Sequence, residues 1–259
     1  LMFNKNYPFF TGSSQGMVNH FKNYATWIKK KYFKNASTLI EIGSNDGTFL
    51  KNFDSKKINS IGFEPSSNVA RIARKNKVKT INEFFNFNNA SKLKKLKKRT
   101  DLICAANAIC HVPNLKDLIK GIDFLLSQKG FFIFEEPYLG SMFNKISYDQ
   151  IYDEHIFMFS VSSVKKLFNL MNFDLIDVQP QTTHGGSMRY VVARKKTHLI
   201  KKNVQKYLKI EQKNNVDNIR GCIDFKKKLE ISKKKLIKKI NTIKQSGKNI
   251  VGYAATSKS

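Results

Sequence analysis

The stretch that decides the fold is Glu41-Ile42-Gly43-Ser44-Asn45-Asp46-Gly47, which follows the apolar run Thr38-Leu39-Ile40. The apolar run predicts a buried strand, and the two glycines after it predict a tight turn whose backbone can approach a ligand closely. Ligands of open α/β sheets bind at the carboxyl ends of the strands. We therefore expect a ligand-binding loop at the end of the first strand of a sheet.

Strand and helix patterns alternate on the C-terminal side of this loop. Short apolar runs predict strands at residues 59–64, 77–81, 101–106 and 130–135, and helices are predicted to begin at Thr48 and to cover residues 68–75 and 115–127. Such alternation is typical of a parallel sheet with helices on both faces. Two further strands at residues 173–178 and 188–193 have no helix between them, which indicates an antiparallel last strand. The predicted fold class is thus α/β, a Rossmann-like sheet.

Three segments follow from these patterns: an N-terminal helical segment at residues 1–37, the α/β domain at 38–195, and a helical linker from 196 that ends in the start of another domain at 259. Ser13 or Ser14 is expected to cap the first helix. A new strand is predicted at residues 249–255, just before the sequence stops. Because a protein rarely ends one strand into a fold, we expect the chain to be a piece of a longer protein. Its first residue, Leu1, extends the same expectation to the N-terminus.

The charge of the chain is strongly positive, with 47 Lys and Arg against 19 Asp and Glu and a formal net charge of +28. A nucleic-acid partner is one interpretation of this excess. However, the excess is mostly lysine, and its densest runs lie at helical spacing with apolar residues between them, as in a solvated helix face. Nothing in the sequence resembles a zinc finger, an RNA-binding aromatic motif or a helix-turn-helix. A basic nucleic-acid-binding module therefore stays only as an alternative.

The sequence has no apolar run long enough to span a bilayer, which needs about 20 residues. It has no recognisable signal peptide, and its three cysteines show neither metal-ligand spacing nor a disulfide framework. We expect a protein of the reducing cytoplasm that does not contact a membrane.

The chemistry of the glycine-rich loop suggests which ligand it binds. Its spacing is neither that of a phosphate loop nor a full G-x-G-x-x-G, and an acidic loop suits a cationic ligand better than a pyrophosphate. S-adenosylmethionine (SAM), with its sulfonium and ammonium groups, fits. Glu64 ends the second strand 23 residues after Glu41, where a carboxylate can accept hydrogen bonds from both ribose hydroxyls; the alternative is a place ahead of the next helix N-terminus. The candidate cofactor-binding residues are Glu41, Gly43, Ser44, Asn45, Asp46, Gly47, Glu64, Pro65, Phe84, Ala106 and Asn107.

Four motifs together resemble a known family. They are the loop quoted above, Asn107-Ala108-Ile109-Cys110-His111-Val112-Pro113, Tyr152-Asp153-Glu154-His155 with Phe159-Ser160, and Thr183-His184-Gly185-Gly186-Ser187-Met188-Arg189. The first is similar to the first motif of class I SAM-dependent methyltransferases. In this order the four resemble the sugar C-methyltransferases that act on nucleotide-linked 4-keto-deoxysugars. The resemblance covers nearly the whole chain, up to Gly252-Tyr253-Ala254-Ala255-Thr256-Ser257-Lys258.

The resemblance also implies what is absent. The family usually has an N-terminal zinc-binding module with clustered cysteines, and a C-terminal Rossmann-like domain. This sequence has no such cysteine cluster and only the start of the second domain. It is therefore expected to be a fragment of such an enzyme.

The resemblance further implies that Tyr152, Glu154 and His155 form the reacting group. Carbon methylation beside a ketone needs a base to remove an α-proton, and histidine suits this because its ordinary pKa lies near neutrality. His155 is the predicted base, and Tyr152 would hold the oxygen on which negative charge develops. His111 would contact the sugar. Taken alone, His155 is more typical of an amphipathic segment than of a catalytic base.

A second set of residues is predicted to line the substrate pocket. His184, Gly185 and Gly186 form a polar, glycine-rich loop between two strands, and Arg189 is a candidate partner for a diphosphate, with a strand-end surface charge as the alternative. The scheme needs no metal. A nucleotide-linked sugar is the expected substrate, and O- or N-methylation of another small molecule is the alternative reaction.

Overall fold

The computed structural model describes residues 3–33 and 38–252. Its first helix, α1 (Gln15–Tyr32), is capped by Ser14, whose side chain accepts a hydrogen bond from the Met17 amide at 3.4 Å. This confirms one of the two predicted caps. The helix buries Phe21, Tyr24 and Ile28, at the spacing that the sequence indicated.

Seven strands form one sheet in the order β3-β2-β1-β4-β5-β7-β6. β7 runs antiparallel to both of its neighbours, whereas the pairings among the first five strands are all parallel. The predicted Rossmann-like sheet with an antiparallel last strand is therefore confirmed. The strands are β1 (Thr38–Ile42), β2 (Asn59–Phe63), β3 (Thr80–Ile81), β4 (Thr100–Ala106), β5 (Leu126–Pro137), β6 (Phe173–Gln181) and β7 (Ser187–Arg194).

Helices cover both faces of this sheet. On one face of the sheet, Phe21 and Tyr24 of α1 pack against Phe49 and against side chains of the strands. The opposite face is filled by a second apolar cluster that contains Phe132 and Phe134. The remaining helices are α2 (Ser67–Lys75), α3 (Phe87–Ser91), α4 (Leu115–Leu125), α5 (Leu139–Lys145), α6 (Val161–Leu170), α7 (Lys202–Lys213) and α8 (Ile219–Gln245).

The helix predicted to begin at Thr48 is wrong. The segment forms only a 3-10 turn at Leu50–Asn52. The Asn52 side-chain amide donates to the carbonyl oxygens of Thr48 and Phe49, at 2.9 and 3.0 Å. In an α-helix these carbonyl oxygens would accept from the amides of the next turn. The Asn52 side chain competes with those amides, and an α-helix does not form.

The C-terminal segment is helical, as predicted. α7 packs on β6, and α8 continues for 27 residues, of which only Gly221 and Phe225 are buried. The part of the predicted last strand that the structure describes, up to Gly252, has no strand; the rest lies outside the described residues. Within residues 3–33 and 38–252, no helix combines the length and apolarity that crossing a membrane requires.

Candidate active site

The glycine-rich loop turns sharply where β1 ends. Gly43 and Gly47 have φ angles of +71° and +81°, a left-handed conformation that glycine adopts without a steric cost. A Cβ on Gly43 would lie 2.7 Å from the Cβ of Ala108, and one on Gly47 would lie 2.7 Å from Val78. The two glycines therefore serve the turn and its packing, and the first brings this loop against the segment that follows β4.

Asn45 and Asp46 bind the chain's own N-terminal segment. Asn45 Oδ1 accepts from the Thr11 amide at 2.8 Å, and its Nδ2 donates to the Phe9 carbonyl at 3.2 Å. Asp46 Oδ2 accepts from the Gly12 amide at 2.7 Å, and its Oδ1 accepts from the hydroxyl of the neighbouring threonine. These side chains, which the sequence predicts to bind the cofactor, hold residues 9–12 across the loop.

Two buried carboxyl groups flank the loop. Glu64 accepts one hydrogen bond at each oxygen, from the amides of Asn45 and Ser66 at 2.9 and 2.8 Å. Burial raises the pKa of Glu64, and these amides oppose the rise. Burial also raises the pKa of Glu41 well above its usual range, and the nearby acids Asp46 and Glu64 raise it further. A cationic ligand beside these groups would favour their charged forms.

The residues present fit the predicted SAM. Within the described part of the chain, three buried polar atoms around the loop have no hydrogen-bond partner: Glu41 Oε2, Ser44 Oγ and Asn107 Oδ1. Buried polar groups are ordinarily paired, so unpaired atoms at the carboxyl edge of a parallel sheet indicate a ligand site. Glu64 adds carboxylate lone pairs that its two amide partners leave available for hydroxyl donors.

The other predicted cofactor residues surround the same edge. Pro65 follows Glu64, and its carbonyl accepts from the Asn82 side chain at 2.9 Å. Phe84 is 45% exposed, and its ring lies 6.3 Å from that of Phe3. Ala106 ends β4, and Asn107 follows it in a left-handed conformation with φ +52°.

His155 has a defined tautomer in this structure. Its Nδ1 lies 2.8 Å from the Gln150 carbonyl oxygen, and its Nε2 lies 2.8 Å from the Tyr152 hydroxyl. Because a carbonyl oxygen only accepts, Nδ1 carries the hydrogen, and Nε2 of the neutral ring accepts from the hydroxyl. The basic nitrogen is thus paired with a tyrosine, an arrangement suited to general-base chemistry.

His111 lies beside this pair. It ends a 3-10 turn, Ile109–His111, and its ring centroid is 5.0 Å from that of His155. Its Nδ1 lies 2.6 Å from the Glu154 carbonyl oxygen, so its Nε2 is again the basic nitrogen. The structure therefore brings together all four predicted catalytic residues, with Glu154 contributing its backbone carbonyl. The Cys110 sulfur and one ring nitrogen of each of the two histidines lie within 4.8 Å of one another.

The predicted substrate loop lies between β6 and β7. His184 is exposed with φ +51°, Gly185 and Gly186 also have positive φ, and the Gly186 carbonyl accepts from the Tyr138 amide at 3.1 Å. The loop follows the carboxyl end of β6, a strand parallel to β1, β4 and β5, and so belongs to the edge that carries the other residues.

Arg189 is not at a pocket wall. Its side chain is 6% exposed, and its guanidinium forms an ion pair with Glu135 at 2.5 Å. It also stacks on the rings of Tyr24 and Trp27, 4.1 and 4.4 Å from their centroids. Burial alone would raise the pKa of Glu135, but a hydrogen bond from His20 and the Arg189 charge outweigh it and lower that pKa. This position does not favour the predicted contact with a diphosphate.

Sequence reasoning missed the neighbouring acid, Glu136. Its side chain points to the opposite face of β5 from Glu135 and accepts hydrogen bonds from the amides of Ala108 and Ile109, at 3.0 and 2.6 Å. The signal available in the sequence was the pair of adjacent acids, Glu135 and Glu136, at the end of a phenylalanine-rich strand. Because successive side chains of a strand point to opposite faces, one acid must lie on each face of the sheet.

Two family models match the chain. The model described as a methyltransferase domain matches residues 19–178, more than half of the chain. The model described as a C-methyltransferase C-terminal domain matches residues 182–259.

One curated relative is the C-methyltransferase NovU of Streptomyces niveus, which is 23% identical to this chain over 254 residues. The match covers 97% of this chain and 60% of the relative, so the chain spans less than two thirds of the length of that protein.

Solved structures share the fold. The magnesium protoporphyrin IX methyltransferase of Synechocystis PCC 6803 with bound S-adenosylhomocysteine has a TM-score of 0.53 at 12% identity, covering 69% of this chain and 84% of that one. A SAM-dependent methyltransferase of Clostridium acetobutylicum ATCC 824 also has a TM-score of 0.53, at 13% identity over 69% of this chain and 92% of its own. At such identities the likeness establishes the fold.

Proposed function

This chain belongs to the methyltransferase-domain family, and on that premise we propose that it is a SAM-dependent enzyme that methylates a carbon beside the ketone of a nucleotide-linked keto-deoxysugar. The observation that carries the proposal is the pair formed by the Tyr152 hydroxyl and His155 Nε2, beside His111. The match to a C-methyltransferase C-terminal domain and the likeness to a C-methyltransferase support transfer to carbon.

The cofactor site is the loop between β1 and the 3-10 turn. In our proposal Glu64 accepts hydrogen bonds from the ribose hydroxyls, while the unpaired oxygens of Glu41 and Asn107 face the amino-acid end of the cofactor. Gly43, Ser44 and Gly47 form the turn against which it binds, and Phe84 with Pro65 flanks the base. When bound, the cofactor supplies an electrophilic methyl group on a sulfonium.

His155 is the base of the reaction. Its Nε2 removes a proton from the carbon beside the ketone, after the Tyr152 hydroxyl has turned from the ring towards the ketone oxygen. There the hydroxyl donates a hydrogen bond to the oxygen on which the enolate charge develops. The Nδ1–H···O=C bond to Gln150 keeps the ring in the required tautomer and stabilises the imidazolium that forms.

The remaining steps balance the charge. With the cofactor held by Glu64, Glu41 and Asn107, its methyl group would be transferred to the nucleophilic carbon and S-adenosylhomocysteine would remain, while His155 returns its proton to solvent. His111 lies close enough to contact the sugar, and His184, Gly185 and Gly186 line the far side of the pocket. Arg189 is paired with Glu135 and takes no part in the proposed step.

The test of this proposal separates proton abstraction from methyl transfer. In heavy water, without the cofactor, this chain should exchange the proton beside the ketone of a nucleotide-linked 4-keto-deoxysugar, as followed by proton NMR. His155→Gln should lose the exchange by a factor of at least about 100, the usual contribution of a general base. S-adenosylhomocysteine affinity should be unchanged.

A matched control is Asp153→Asn, which alters an exposed carboxylate on the same turn. It should exchange and methylate like the wild-type chain. Methyl transfer to an oxygen or nitrogen, without exchange of the α-proton, would contradict the carbon-methylation proposal and favour the alternative reaction.

A further inference from the structure

A single buried oxygen atom fixes the turn that carries His111. Glu136 has no exposed surface, and its Oε1 accepts hydrogen bonds from two consecutive amides, those of Ala108 and Ile109, at 3.0 and 2.6 Å. These amides begin the 3-10 turn Ile109–His111. The carboxylate therefore sets the position and direction in which the turn leaves β4.

The same turn holds the segment that carries His155. The Cys110 carbonyl accepts from the amides of Ile156 and Phe157, at 2.9 and 3.3 Å, and the His111 ring reaches the Glu154 carbonyl at 2.6 Å. Both histidines are thus tied to one short turn, and that turn is tied to Glu136.

Burying a carboxyl group at position 136 has a cost in desolvation free energy. Burial raises the pKa of Glu136 to about 7, although hydrogen bonds from the Cys110 thiol and the turn amides oppose the rise. A leucine would fill a similar volume without the desolvation penalty. The hydrogen-bonding capacity of the side chain must therefore have a use that packing alone does not provide.

We propose that Glu136 is a positioning residue that holds His111 and His155 in register with each other, acting through the backbone of the turn Ile109–His111. The inference rests on the proposed function in assigning the two histidines to the reaction. It adds a residue that touches neither substrate nor cofactor and yet controls the distance between the groups that do.

Three substitutions separate hydrogen bonding from packing. Glu136→Leu keeps the volume and removes the acceptor, Glu136→Gln keeps an acceptor oxygen, and Glu136→Asp keeps the charge but shortens the reach by one methylene. Glu211→Leu is the matched control, because Glu211 is also fully buried and also accepts from two backbone amides, those of Val161 and Ser162 in α6.

The first readout needs no substrate. In protein labelled with 15N at histidine, long-range proton–nitrogen correlation NMR reports the tautomer and hydrogen bonding of each ring. We expect the His111 and His155 signals to shift in Glu136→Leu and Glu136→Asp, and to stay near the wild-type positions in Glu136→Gln. In Glu211→Leu they should not shift, although the melting temperature falls. The readout stands even if the wild-type chain methylates no keto-sugar.

The second readout is kinetic. Misplacing reacting groups by about 1 Å costs on the order of 100-fold in rate. Glu136→Leu should lower kcat by about that factor with little change in KM, and Glu136→Gln should restore most of it.

Histidine signals in Glu136→Leu that coincide with those of the wild type would overturn the inference, as would a wild-type kcat in that variant. If Glu136→Leu does not fold, wild-type histidine signals in Glu136→Asp would overturn it equally.

Discussion

Glu64 accepts hydrogen bonds from the amides of Asn45 and Ser66, one at each carboxylate oxygen. Glu64→Gln would place an NH2 group against one of these amides and remove a charged acceptor from the ribose site. Hydrogen bonds to charged groups contribute about 1.5–3 kcal/mol, so the affinity for S-adenosylhomocysteine should fall roughly 10- to 100-fold. Isothermal titration calorimetry measures this directly.

The control for this variant is Glu83→Gln, an exposed carboxylate beyond β3 at the same edge of the sheet. It should bind S-adenosylhomocysteine like the wild type. Equal affinities for Glu64→Gln and the wild type would remove Glu64 from the cofactor site.

Sequence patterns could predict residues of this kind because their positions depend on local spacing. Glu64 ends a strand at a set distance from a glycine-rich loop, and Tyr152 and His155 are three residues apart on one turn. Arg189 was harder to interpret, because its partner is set by strand register. Glu135 and Arg189 face each other only since β5 pairs with β7. The contacts of Asn45 and Asp46 with the N-terminal segment were invisible for a similar reason, since the amides that they accept from are 34 residues away.

Helices α6 and α7 are joined by one buried acid. Glu211 of α7 accepts from the Val161 amide at 2.6 Å, the Ser162 amide at 2.8 Å and the Tyr138 hydroxyl at 2.9 Å. Glu211→Leu leaves these donors unpaired at the positive end of α6. Each buried unsatisfied donor costs about 1–3 kcal/mol, so the free energy of unfolding should fall by at least about 2 kcal/mol.

Urea denaturation measures that loss, and hydrogen exchange should locate it at the first turn of α6. An unchanged unfolding midpoint would show that solvent replaces Glu211 without cost. Arg71→Leu on the exposed side of α2 is a suitable control, because its loss leaves no buried donor unpaired.

Element prediction succeeded where the apolar signal was unambiguous. α1 was found because its buried residues repeat at helical spacing, and all seven strands were found, with errors only at their ends, because each contains a short apolar run. α3, α5, α6 and the shortened turn at Leu50–Asn52 were not predicted. α5 has seven residues, too few to show a period, and the turn depends on one asparagine side chain that captures backbone carbonyls. Such local competition is invisible to hydrophobic patterning.

The net charge of the whole molecule is unevenly distributed. α8 carries ten Lys or Arg residues against two acids, and most of its side chains are exposed. The candidate site, by contrast, is rich in buried acids: Glu41, Asp46, Glu64 and Glu136. α8 therefore carries +8 of the net charge of +28 on mostly exposed side chains, which agrees with a solvated helix face more than with a groove for nucleic acid.

The buried acids also set how stability depends on pH. The native pKa of Glu136 is about 7 and its ordinary value is 4.5, so between these pH values the folded chain binds more protons than the unfolded chain. The free energy of unfolding therefore falls as the pH rises through this window, by about 1.4 kcal/mol per pKa unit, or about 3 kcal/mol in all.

Glu136→Gln cannot ionise at this position, so its free energy of unfolding lacks this loss. Urea denaturation at about pH 4.5 and about pH 8 should show the stability of Glu136→Gln, relative to wild type, growing by about that amount. Glu135, whose pKa is lowered, contributes the opposite slope, but it does so in both proteins and cancels in the difference. A difference that stays constant with pH would mean that Glu136 is ionised at little cost when folded, with solvent or a protein group compensating its charge.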